Sequence, residues 1–162
     1  MYPNQYQWVR QTRAILLHFC GELSSDDFTR CPEHSSQSIR DILVHIADCY
    51  DAWLGSYILL QTKTPITPKE NLSSFDVAAI QARFAQVDHY VDQVLQTYVH
   101  KMDEPIQRNI PWREGNETIS MTPSKLLMHT ITHEFHHKGQ LMAIARRMGY
   151  VPPNTDILGT KD

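Results

Sequence analysis

Between His129 and Gln140 the chain reads HTITHEFHHKGQ, with four of its nine histidines inside nine residues. His129, His133 and His137 are spaced four apart, so on a helix they stand one above the other along one face. At 100° per residue, His133 and His137 lie about 40° apart around the axis. Leu126, Thr130, Leu141, Ile144 and Met148 fall on the same side. The pattern therefore predicts imidazoles directed into an apolar stripe. Two neutral imidazoles at i and i+4 can grip one divalent metal ion; buried without one, they would be poorly satisfied. Thr122 as N-cap, Pro123 at the first position, Arg146 and Arg147 in the last turn and Gly149 as C-cap bound this helix, with Pro152 beyond it. The rest of the chain reads as a scaffold that brings further ligands and a pocket wall to the histidine face; the alternative is a set of buried histidines satisfied by hydrogen bonds.

Three more helices are predicted upstream. Trp8, Val9, Thr12, Ile15, Leu16 and Phe19 recur at helical spacing from about Tyr6 to Leu23, and Ser24-Ser25-Asp26-Asp27 with Cys31-Pro32 break the run. Ser38 reads as the N-cap of a second helix over Ile39 to Gln61, with Asp41 at its third position. Its apolar stripe is Ile39, Ile42, Ile46, Tyr50, Trp53, Tyr57 and Leu60, and His45 lies at the edge of that stripe. Ser73 or Ser74 caps a third helix reaching about Met102, with Val77, Ile80, Phe84, Val87, Val91 and Tyr98 on one side. From Pro105 to Met121, Ile106, Arg108, Ile110 and Trp112 alternate with polar residues, Arg113-Glu114-Gly115-Asn116 is turn-like, and Thr118 to Met121 can return as a strand. The expectation is an all-α chain, residues 1–162 forming one four-helix bundle with a long crossover.

The histidine helix has a second apolar strip, Met128, Ile131, Phe135 and Met142, with Gly139 at its edge. A helix apolar on two sides is deeply buried or shared with another subunit, and in so small a bundle the strip points to a dimer contact. Net charge is −3 with no basic stripe, which argues against nucleic acid as partner. No apolar run approaches the ~20 residues of a membrane span, and the N-terminal MYPNQYQWVRQTR lacks a signal-peptide pattern. Cys20, Cys31 and Cys49 are odd in number and far apart, which fits reduced thiols in a cytoplasmic protein.

The stretches SIRDILVHIADCYDAWL and LLMHTITHEFHHKGQL, in this order, resemble the DinB-like family of four-helix metal-dependent proteins, and the likeness extends over nearly the whole chain. The resemblance implies a divalent metal held by one histidine of the second helix and two of the fourth. These are His45, His133 and His137 here. It also implies a homodimer, and relatives that transfer low-molecular-weight thiols to small substrates. Residue spacing alone marks only the His133–His137 pair; His45 enters through the resemblance. Three neutral nitrogens leave a coordination position open for water, a thiolate or a substrate oxygen, and suit zinc, nickel or ferrous iron without choosing among them.

His133-Glu134-Phe135-His136-His137 is also a literal H-E-x-x-H string, in which the glutamate of zinc proteases is the general base. Downstream of His137 there is no histidine or glutamate to complete such a site, only Asp156 before the last residue. Metal-assisted hydrolysis with Glu134 as base is thus one alternative, and a non-catalytic metal-stabilised binding protein another. Glu134 can equally be a solvated neighbour. His129 can line the pocket or replace a ligand, His136 is expected near the surface, and Asp41 or Asp48 can orient His45 through its second ring nitrogen. Trp112 is a lid over the pocket or simple packing. His18, His34, His89 and His100 read as ordinary helix or loop histidines.

Overall fold

The computed structural model describes residues 3–33, 35–115 and 117–162, so His34 and Asn116 of the readings above lie outside it. In chain order it contains α1 (Pro3–Gly21), α2 (Ser25–Thr29), α3 (Ile39–Tyr50), a π-helix (Asp51–Ile58), a 3-10 helix (Lys69–Ser74), α4 (Val77–Thr97), β1 (Ile106–Asn109), β2 (Thr118–Met121), α5 (Pro123–Arg147) and a last 3-10 turn (Ile157–Gly159). The four long helices form the bundle. α3 packs against α4 and α5, and α1 packs against α4. Leu16, Leu43, Ile46, Leu54, Ile80, Val87, Val91, Val94, Leu127 and Leu141 fill the core between them. Among the described residues no helix is long and apolar enough to cross a membrane.

Local chemistry accounts for most of the boundaries. Ser38 and Asp41 form a reciprocal capping box at the start of α3. Thr122 caps α5 with Pro123 in its first turn, and Gly149 follows it at φ 90°, the left-handed conformation that ends helices. Two expectations shift, at Ser24 and at the bounds of α4, while the short hairpin in the crossover is as expected. Ser24 does not simply break the chain: its hydroxyl accepts the Asp27 N–H and starts α2. Ser73 and Ser74 lie in the 3-10 turn, and Asp76 is the N-cap of α4, which ends at Thr97 and not at Met102. The crossover is a two-stranded antiparallel hairpin, Ile106 opposite Met121 and Asn109 opposite Thr118.

The second helix departs from the α geometry predicted through Gln61, running as a π-helix from Asp51 to Ile58. Tertiary anchors surround this segment. The Asp51 carboxylate takes two hydrogen bonds from Arg83 on α4. Gly55 lies against the Tyr90 ring, where a Cβ would come within 2.7 Å of a ring carbon. The Tyr57 hydroxyl donates between the carbonyl oxygens of Ile106 (2.8 Å) and Ile119 (3.0 Å), tying the hairpin to the bundle.

The buried face of α5 is the main correction. Its buried positions, Pro123, Leu126, Leu127, Thr130, Ile131, Glu134, His137, Lys138, Leu141, Met142, Ile144 and Ala145, centre close to the direction of Glu134. From that centre His137 lies about 60° away, His133 about 100° and His129 about 140°. Exposure follows the same order: His137 is buried, His133 half-buried and His129 exposed. The histidines therefore run along the edge of the α3–α5 seam: His137 is turned inward as expected, His133 sits at the rim and His129 faces out. The two apolar strips are the flanks of one buried arc whose middle is charged. Ile131 and Met142 are covered within the chain while Met128 stays exposed, so the second strip does not require another subunit. Gly139 is exposed, with no close approach at its Cβ position.

Candidate metal centre

His45 projects from α3 and His133 and His137 from α5, and one ligand nitrogen from each lies within 4.8 Å of the others. The Nε2 atoms of His45 and His133 are 3.2 Å apart. The ring centroids of the trio are separated by 4.3 to 4.9 Å. In a tetrahedral site with metal–nitrogen bonds of ordinary length, two nitrogens sit about 3.3 Å apart, so the His45–His133 edge already has the right length. Nδ1 of His137 is 2.7 Å from the side-chain oxygen of Gln140, which can only accept. That bond places the proton on Nδ1 and leaves Nε2 with its lone pair. The Gln140 amide nitrogen in turn donates to Nε2 of the exposed His136 at 3.0 Å.

The rings of His133 and His137 are in the protonation state that a metal ligand needs. Burial and the neighbouring imidazoles of His137, His45, His129 and His136 push His133 down to about 4. Burial likewise lowers His137. Both rings are neutral at physiological pH, as metal ligands must be.

One turn along, a second group appears that the sequence reading passed over. Cys49 follows His45 by four residues on α3, as His129 precedes His133 by four on α5. Its Sγ is 3.7 Å from Nε2 of His129, and Cys49, His129 and His133 each offer a ligand atom within 4.8 Å of the others. The signal is present in the sequence as a repeated i, i+4 step, His45 to Cys49 and His129 to His133, but the wide spacing of the three cysteines from one another points only to reduced thiols. Burial, helped by the Asp48 charge, pushes the Cys49 thiol up to about 12, so by itself it is a protonated group. Trp53 lies edge-on to His129 at 6.0 Å, and Trp112 edge-on to Trp53 at 5.3 Å. Trp112 is thus packed on the aromatic wall beside the histidines.

Neither aspartate orients His45. Asp41 is occupied by the capping box and by Arg40. Asp48 accepts from the backbone N–H and hydroxyl of Thr67 and pairs with Arg83. His18, His89 and His100 are exposed, away from the cluster, as expected.

Glu134 is neither a base beside the histidines nor a solvated neighbour. It is 1% exposed. Arg13 of α1 grips it with two hydrogen bonds of 3.0 and 2.8 Å, Lys138 lies 3.0 Å away, and the Tyr50 hydroxyl donates to it at 2.7 Å. Burial alone would raise its pKa; Arg13, Lys138 and the hydrogen bonds from Arg13 and Tyr50 more than reverse this and hold it at about 2. A carboxylate so engaged has no tendency to take up a proton near neutrality. The H-E-x-x-H string is present in the sequence, but its glutamate serves the core.

Comparison with known proteins assigns the family and the fold. The model of the DinB family matches residues 1–162. The chain belongs to the DinB family. Within it, YizA of Bacillus subtilis (strain 168), itself uncharacterized, is 25% identical over 159 residues, covering 96% of this chain and 91% of the relative. The crystal structure of YjoA, a DinB-like protein from Bacillus subtilis, superposes with a TM-score of 0.62 at 18% identity, covering 90% of this chain and 92% of that one. At that identity the likeness speaks for the fold, and a DinB-like helical bundle is what the sequence pattern predicts.

Proposed function

We propose that this DinB-family chain holds one divalent transition metal through His45, His133 and His137 and uses it as a metal-dependent transferase, joining a low-molecular-weight thiol to a small electrophilic substrate. The observation that carries the reading is the convergence of three imidazoles from two helices, one edge already at ligand–ligand length and His137 fixed in the tautomer that offers Nε2. Zinc, nickel and ferrous iron all fit an all-nitrogen donor set. A divalent ion held there supplies the Lewis acidity that makes a thiol or water acidic near neutral pH. The protein's share is to keep His133 and His137 neutral, to aim His137 through Gln140, and to wall one side with Trp53 and Trp112. With Glu134 committed to Arg13 and Lys138, hydrolysis would need another base, so thiol transfer is the better supported chemistry. The homodimer and the cytoplasmic setting belong to the same proposal.

Elemental analysis of the protein beside His45→Ala, His133→Ala and His137→Ala tests the site. We expect about one transition-metal ion per chain, lost in all three variants. Full metal content in His45→Ala would remove α3 from the site. A thiol-conjugation assay on metal-loaded protein then tests the chemistry: activity that survives both chelation and His133→Ala would sink the metal mechanism. A metal that only stabilises the bundle would instead show a large fall in melting temperature on chelation with no turnover.

A further inference from the structure

The second cluster at the α3–α5 seam, Cys49, His129 and His133, shares His133 with the three-histidine assignment and adds two residues that assignment does not use. In a tetrahedral site with ordinary zinc bond lengths, a sulfur and a nitrogen stand about 3.6 Å apart. Sγ of Cys49 and Nε2 of His129 are 3.7 Å apart, and a ligand atom of His133 completes a triangle with no side longer than 4.8 Å. At that length the pair makes an S–H···N hydrogen bond in the protein as it stands, and the same spacing matches a ligand–ligand edge. Cys49 is 8% exposed and held by the rigid core of α3, whereas His129 is exposed and gives an ion a way in. His133 is common to both clusters, and one neutral imidazole ligates one ion at a time.

We propose that Cys49, His129 and His133 form a second metal position, one helical turn along from the histidine triad, that takes a thiophilic divalent cation in place of an ion at the triad. Sulfur in the donor set is what separates the two positions, since soft ions favour thiolate and harder ones imidazole alone. On binding, the Cys49 thiol gives its proton to solvent and its sulfur forms the bond to the ion. The seam would then sort ions by softness, and a soft ion would withdraw His133 from the triad. The proposal does not depend on what the triad catalyses.

The test is a cadmium(II) titration of metal-free protein in a Cys31→Ser background, which removes the exposed thiol, followed by thiolate-to-cadmium charge-transfer absorption in the ultraviolet. We expect the band to saturate near one ion per chain, to vanish in Cys49→Ser, to need roughly tenfold or more cadmium in His129→Ala, and to persist in His45→Ala and His137→Ala. His129 is exposed, so its variant answers the question even if Cys49→Ser does not fold. No band in the parent protein, or a band unchanged in Cys49→Ser or His129→Ala, overturns the proposal. A band lost in His45→Ala or His137→Ala overturns it too, because the sulfur would then belong to the triad's ion. Failure of the triad reading looks different: its metal content would be wrong while the cadmium band stayed in His45→Ala.

Discussion

Gln140 is the residue through which the metal centre can be tuned without touching a ligand. Its side-chain oxygen takes the Nδ1 proton of His137 and its amide reaches His136. Gln140→Ala should lower metal affinity by about 10- to 100-fold with unchanged stoichiometry at saturating metal; equal affinities measured by competition with a chelator would remove its orienting role. The i, i+4 step that exposes His133 and His137 in the sequence says which residues share a face, and that much was legible. What faced water was not. Nothing in one sequence announces that Glu134 and Lys138, two charged residues, occupy the middle of the buried arc, because Arg13, which pairs with Glu134, is 121 residues away in the chain and Lys138 is held there by Glu134 itself. An apolar stripe drawn without them puts the core on the histidine side.

At the scale of elements, the caps of α3 and α5, the hairpin and the order of the long helices followed from local chemistry, and the π-helix and the Asp76 cap of α4 did not. Its i→i+5 bonding widens the turn between Asp51 and Ile58, and the anchors around it come from α4 and the hairpin. No local propensity encodes them. Removing one tests their weight. Tyr57→Phe leaves the carbonyls of Ile106 and Ile119 without this donor, and should cost about 1–3 kcal/mol in denaturant unfolding. Hydrogen exchange should quicken first in β1 and β2. A variant as stable as the parent, with the hairpin equally protected, would mean that packing alone holds the crossover.

For the whole molecule, acid stability should fall in two stages. In metal-free protein, His133 has its folded pKa lowered from 6.5 to about 4. The unfolded chain binds the proton first, so stability present above pH 6.5 is lost as pH falls toward 4. Glu134, lowered from 4.5 to about 2, adds stability that is full above pH 4.5 and lost as pH falls toward 2; its contribution is on the order of 3 kcal/mol. Melting temperatures from pH 8 to 2 should therefore drop in both windows. Glu134→Gln should lack the lower step and be roughly 3–5 kcal/mol less stable at pH 7, because Arg13 and Lys138 keep their charges in the core. A flat profile between pH 6.5 and 4.5 would contradict the environment assigned to His133.

The alternation along α5 has a consequence for how an ion would be captured. Each triad histidine on that helix is followed by a residue fixed in the ionic cluster, His133 by Glu134 and His137 by Lys138. Rolling the helix to adjust a ligand would drag a buried charge away from its partner. The conformational entropy of arranging the donors is thus surrendered when the bundle folds, before any ion arrives. Where a zinc finger couples folding to binding, an ion held at the proposed centre would enter a finished mould, and discrimination among ions would rest on the shape and softness already cast into it.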